Sequence, residues 1–187
     1  MIFFFFIFMN AYATFGQTKV LVAYYSKTGN TETMAEAVAK GARELEGVKV
    51  EIKQVANVTT ADLLDADAII VGSPVYNANV APRVQEFISG WPFEGSPLKN
   101  KIGAAFVTAG GMSAGEEITQ MNILHSMMIF GMIIVGGDHW TSPFGASAVI
   151  GESPFEDVKG IDPVFLEKGE NLGKRVASIT KRLHGKH

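Results

Sequence analysis

The sequence predicts an α/β domain: a doubly wound, five-stranded parallel sheet of order 2-1-3-4-5 with helices on both faces. Two observations carry that reading. Short, continuously apolar runs rich in β-branched residues recur along the chain, as in strands buried on both faces. Segments with an apolar stripe at helical spacing separate them. Right-handed crossovers leave few topologies for such an alternation, and this strand order is one of the two common doubly wound solutions. Periodicity does not choose between the orders; the loops do.

Residues 19–25 (KVLVAYY) form the first buried run. A Ser/Thr/Gly/Asn loop follows, then a helix from about Glu32 in which Met34, Val38, Ala42 and Leu45 form one stripe before Gly47 ends it. Residues 48–55 alternate apolar and polar with one slip, which suits a strand nearer the sheet edge. Thr60 is placed to cap a short helix through Ala66. Residues 68–72 (AIIVG) are a second fully buried strand, and the 73–79 loop leads into a helix whose first turn accepts Pro82 and turns Val84, Phe87 and Ile88 inward. Residues 102–108 (IGAAFVT) give the next strand, 109–115 a small-residue loop, 116–130 a helix and 132–135 the final strand. Residues 136–162 read as irregular, rich in Gly, Ser and Pro. A closing helix from about Val164 buries Phe165, Leu172, Val176, Ile179 and Leu183.

The 187 residues suffice for one domain with its own core. The net charge of −3 and the lack of a basic run argue against a nucleic-acid partner. With no cysteine there are no disulfides, thiolate metal sites or cysteine nucleophile, and the four histidines lack metal-ligand spacing, so no metal is expected. Residues 1–18 stand apart as an apolar leader or an upstream extension, leaving 19–187 as the domain. Met1 to Met9 is almost all Ile and Phe, too short to span a bilayer. The small residues Ala11-Tyr12-Ala13 resemble a signal-peptide cleavage site, but no positive region precedes them. A cytoplasmic location is the expectation, with export through a leader as the alternative.

In a doubly wound sheet, ligands bind outside the carboxyl ends of the strands at the point where the order reverses. The loops after strands 1, 3 and 4 meet there. The first, Ser26-Lys27-Thr28-Gly29-Asn30-Thr31, lies between a buried strand and a helix N-terminus, where free amides and the helix dipole favour an anion. Ser26, Thr28 and Thr31 add hydroxyls, Gly29 admits a close approach, and Lys27 is the one charge. Neither a Walker loop nor a dinucleotide glycine triplet is present. The same composition also serves as a plain helix cap. The second loop, Ser73-Pro74-Val75-Tyr76-Asn77-Ala78-Asn79, stiffens the strand exit at Pro74 and offers Tyr76 as an amphipathic face for a flat ring. Alternatively, it is a strand-to-helix turn with an incidental tyrosine. The third, Thr108-Ala109-Gly110-Gly111-Met112-Ser113-Ala114-Gly115, lets backbone amides reach a ligand, or is merely flexible. Three permissive loops at the three places where one crevice must form favour the ligand.

The segment from Tyr25 to Thr31 resembles the phosphate loop of flavodoxins and flavodoxin-like reductases, and the other two loops resemble those of WrbA-type NAD(P)H:quinone reductases and related FMN reductases. The resemblance covers roughly residues 19–184. It implies FMN as cofactor, NAD(P)H as co-substrate, a quinone-like acceptor and a homo-oligomer, dimer or tetramer. The first loop would hold the phosphate, Val75 and Tyr76 would lie along the isoalloxazine, and the 108–115 loop would face its pyrimidine edge. The segment with His139 and Trp140 resembles one that completes the active site in the quinone-reductase branch, making Tyr76 and His139 the candidate proton donors. Two departures weaken assignment to WrbA itself: Phe130 stands before Gly131 where that branch commonly has a histidine, and its insertion between the second and third strands is missing.

The expected function is two-electron transfer from NAD(P)H to a quinone-like acceptor, the flavin doing the chemistry. A flavodoxin that carries single electrons is the alternative, for which −3 is weak support as a docking charge. A receiver domain would need carboxylates at the strand ends, and none follows Tyr25.

Overall fold

The computed structural model describes residues 17–184. The apolar N-terminal stretch lies outside the described residues except for Gln17 and Thr18, and Thr18 opens the first strand.

In chain order the elements are β1 (Thr18–Tyr24), α1 (Asn30–Arg43), β2 (Val48–Gln54), α2 (Thr60–Asp65), β3 (Ala68–Tyr76), β4 (Asn79–Val80), α3 (Pro82–Ser89), β5 (Ile102–Ala109), α4 (Glu116–Ile129), β6 (Ile133–Ile134), β7 (Ala146–Val149) and α5 (Pro163–His184). The parallel path runs β2-β1-β3-β5 and ends on β6 and β7, both paired with β5. β6 lies against Ile102 and Gly103, and β7 against Phe106 to Ala109. Two pieces therefore fill the fifth position, and the 2-1-3-4-5 arrangement stands.

Successive residues of a strand face opposite ways, and the central strands divide accordingly. Val20, Val22, Ile70, Ala104 and Phe106 meet Met34, Val38, Leu172 and Val176 of α1 and α5. Leu21, Ala23, Ile69, Val71 and Val107 meet Leu63, Val84, Ile123 and Met127 of α2, α3 and α4. α1 and α5 touch backbone to backbone: a Cβ on Gly173 would stand 1.8 Å from the Val38 carbonyl oxygen, and one on Gly41 1.8 Å from that of Glu170. The Lys40–Glu170 and Lys174–Glu44 ion pairs, at 2.7 and 2.8 Å, flank that seam.

Four expectations need correction. Thr59, not Thr60, caps α2: its hydroxyl accepts from the Asp62 N–H and the Asp62 carboxylate accepts from the Thr59 N–H, a reciprocal box that needs the acid three residues on. The 73–79 segment is not simply a loop. β3 runs on to Tyr76 and folds back as β4, with Asn77 and Ala78 forming the turn at φ 51° and 58°. The 136–162 stretch contains β7, because the chain leaves the sheet after β6 and returns to the same edge at Ala146. Leu183 is 56% exposed, in a last turn of α5 whose residues 181–184 all face solvent.

Candidate functional site

The three loops converge at the carboxyl ends of β1, β3 and β5 around a cavity of about 210 Å³. From the first loop come Lys27, Thr28, Asn30 and Thr31; from the second Pro74, Val75 and Tyr76; from the third Thr108, Ala109 and Gly110.

α1 opens on Gly29 in the left-handed region (φ 94°), with no side chain capping it. A helix begins with amides that its own turns cannot satisfy, so the first turn offers donors toward the cavity. The Ser26 hydroxyl accepts from the Gly29 N–H at 3.1 Å, which closes the loop and still leaves that hydroxyl a proton to donate. Lys27 and Thr28 are exposed. Thr31 is buried, its hydroxyl 2.8 Å from that of Thr108, so the pair ties the first loop to the third. Below the loop, Tyr24 donates to Glu32 Oε1 at 2.8 Å, fastening β1 to the first turn of α1. Burial, reinforced by that acceptor, pushes the Tyr24 phenol up to about 12.

Ser73 is fully buried and occupied with the hairpin: its hydroxyl donates to the Pro74 carbonyl and accepts from the Ala81 N–H. It positions the second loop rather than lining the cavity. Asn77 is exposed at the turn, its carbonyl accepting from the Asn79 amide at 3.1 Å. Burial lifts the Tyr76 phenol above its ordinary pKa, and the neighbouring Tyr25 phenol adds to the shift.

In the third loop the Met112 N–H donates to Glu152 Oε2 at 2.5 Å, and a Cβ on Gly111 would come within 2.6 Å of the same oxygen. Gly115, at φ 105°, opens α4, and a Cβ there would meet Ala78 at 2.6 Å, so the hairpin rests directly on this loop. Ile150 also lines the cavity, its N–H bonded to the Ala109 carbonyl. Sequence reasoning missed Ile150 and Glu152, because both follow a strand hidden in a stretch that read as irregular.

His139 is not brought to this cavity. It sits in the 135–145 excursion, its Nδ1 3.0 Å from the Thr141 hydroxyl, in a separate hollow against Glu167 and Lys168 of α5. Trp140 beside it is 79% exposed.

The donor set suits a phosphate monoester: uncapped helix amides, neutral hydroxyls and one lysine, with no acidic cluster for a metal-bound triphosphate. The half-apolar wall of Pro74, Val75 and Ile150 beside it suits a flat ring. The residues present thus fit FMN.

Comparison with known proteins agrees with that geometry. The profile of the Flavodoxin domain family matches residues 21–128. The chain is 38% identical over 169 residues to a protein named flavodoxin from Aquifex aeolicus, covering 85% of each. It is 35% identical to one named NAD(P)H dehydrogenase (quinone) from Azorhizobium caulinodans, covering 89% of this chain and 99% of the relative. Among solved structures, a WrbA-like flavodoxin from Agrobacterium tumefaciens shares the fold at a TM-score of 0.74 and 22% identity, over 89% of this chain and 99% of that one. The chain belongs to the flavodoxin-domain family, and its cofactor is FMN.

Proposed function

We propose that the protein is an FMN-dependent oxidoreductase that passes two electrons from NAD(P)H to a quinone-like acceptor. The observation that carries this reading is the cavity made by the three loops, with a partly exposed tyrosine, Tyr76, on its wall. Relatives named NAD(P)H dehydrogenase (quinone), matched over nearly their whole length, support it.

When bound, FMN supplies the relay of a hydride from reduced nicotinamide to the acceptor. The first-turn amides of α1, with Ser26, Lys27, Thr28 and Asn30, would hold its phosphate. Val75 and Tyr76 would lie along the ring, and the backbone of Gly110 and Gly111 would reach its polar edge, where amides offset developing negative charge. Reducing a quinone takes two electrons and two protons. The hydride carries both electrons and one of these protons; Tyr76, whose phenol stays protonated at neutral pH, donates the other from its phenol oxygen to a quinone oxygen and is reprotonated from solvent. The exposed apolar residues Ile118, Met128 and Ile129 along α4 support self-association of the chain.

The test is steady-state oxidation of NADH and NADPH by FMN-loaded protein with benzoquinone. Turnover with either donor is the expected result; no flavin reduction by either overturns the reading. The second reading, a one-electron carrier, is favoured by the relative named flavodoxin and would hold in that case.

A further inference from the structure

A larger cavity of about 600 Å³ lies beside the flavin cavity, beyond the ends of β1 and β2. Its size falls in the range of roughly 300–1,000 Å³ usual for small-molecule sites. Tyr25, Val55, Leu63, Phe87 and Trp91 give it apolar and aromatic walls. Phe87 and Trp91 meet edge to face, their centroids 5.5 Å apart. Trp91 lines the cavity with its ring, while its indole nitrogen is sealed from solvent. Arg83 and Glu86 stand on the same cavity, joined at 3.1 Å with both side chains mostly exposed. Such a surface pair is cheap to separate.

The two cavities are neighbours. Tyr25 belongs to the larger one and Tyr76 to the flavin cavity, and the two phenols lie close enough for Tyr25 to shift the Tyr76 pKa. A ligand with one end against the flavin can pass this pair of tyrosines and bury its other end in the larger cavity. We propose that the cavity between the 54–63 segment and α3 holds the adenosine half of the nicotinamide dinucleotide. This rests on the donor reading given above. Adenine is flat and stacks on aromatic rings such as those of Tyr25, Phe87 and Trp91 on this wall. Arg83 is matched to a 2′-phosphate and Glu86 to a free ribose 2′-hydroxyl, the two chemistries that separate NADPH from NADH.

The test uses FMN-loaded protein with isotope-labelled tryptophan and two probes without nicotinamide, ADP-ribose and its 2′-phosphate, so that neither can react at the flavin. The chain has only two tryptophans, and Trp140 lies on the exposed excursion and serves as the internal control. The expected result is a saturable shift of the Trp91 indole proton with Trp140 unmoved, abolished by Ala56→Phe, which fills the cavity from an exposed position. Preference for the 2′-phosphate that disappears in Arg83→Ala assigns NADPH; preference for ADP-ribose that disappears in Glu86→Gln assigns NADH. In the assay with whole donor, the matching variant raises KM about tenfold and leaves kcat in place. A Trp91 signal that neither probe moves, or a shift that survives Ala56→Phe, overturns the proposal. The visible flavin band of the same sample reports separately on FMN: its absence fails the cofactor reading, while the Trp91 shift is still read directly.

Discussion

Thr28 and Thr31 carry the same side chain three positions apart and serve different ends. Thr28 stands exposed on the loop, whereas the Thr31 hydroxyl is buried against that of Thr108. Thr28→Val should weaken FMN binding about tenfold, one hydrogen bond to a charged group, without lowering the melting temperature of the FMN-free protein. Thr31→Val should instead cost about 1–3 kcal/mol of stability, because the Thr108 hydroxyl is left buried and unpartnered. Flavin titration and thermal unfolding separate the two. From the sequence the threonines were equivalent, since residue type and spacing do not tell which way a helix turns its first residues. His139 is the opposite case: its chemistry was legible but its position was not. His139→Ala should leave FMN affinity and quinone turnover unchanged, and a large fall in kcat would contradict the observed geometry. At Tyr24 the pKa rises from 10.0 to about 12, first through burial. The stability tied to its neutral form is complete below pH 10 and is lost as pH climbs toward 12. Denaturation curves across that window should steepen in the wild type and flatten in Tyr24→Phe.

Among the elements, the β3–β4 hairpin shows how local strain is held by its surroundings. Ala78 adopts a left-handed conformation that costs a non-glycine residue roughly 1–2 kcal/mol. Ser73 pins the hairpin base and Gly115 supports the turn. Ala78→Gly should therefore raise the melting temperature by about 2–4 °C. The hairpin was illegible because Asn77-Ala78 lacks the glycine that marks such turns. The α1–α5 seam is a similar case. Gly173→Ala would raise helix propensity in isolation, yet it should destabilise this protein because the new Cβ meets the Val38 carbonyl at 1.8 Å. A calorimetric melt decides the sign. The apolar stripes of both helices were readable in advance. Their separation was not, because a missing side chain leaves no mark in a hydrophobic pattern.

Over the whole molecule, the strand order followed from buried runs, as the sheet and the fold shared with the Agrobacterium structure bear out, and the three permissive loops meet at one cavity. What escaped was the division of the fifth strand, because four residues of β7 with alternating small side chains carry too little apolar signal to stand out. That division changes how the molecule meets others of its kind in a crowded cell. A long bare strand at a sheet's rim is a template on which another chain can add, the first step toward fibrils. At one rim, β2 carries Lys49, Glu51 and Lys53 in linked ion pairs. At the other, the row of free amides and carbonyls is cut into two residues and four, with eleven residues of chain thrown outward between them. Charge on one side and a broken run on the other deny an incoming strand a place to zip onto, so the sheet ends where the domain does.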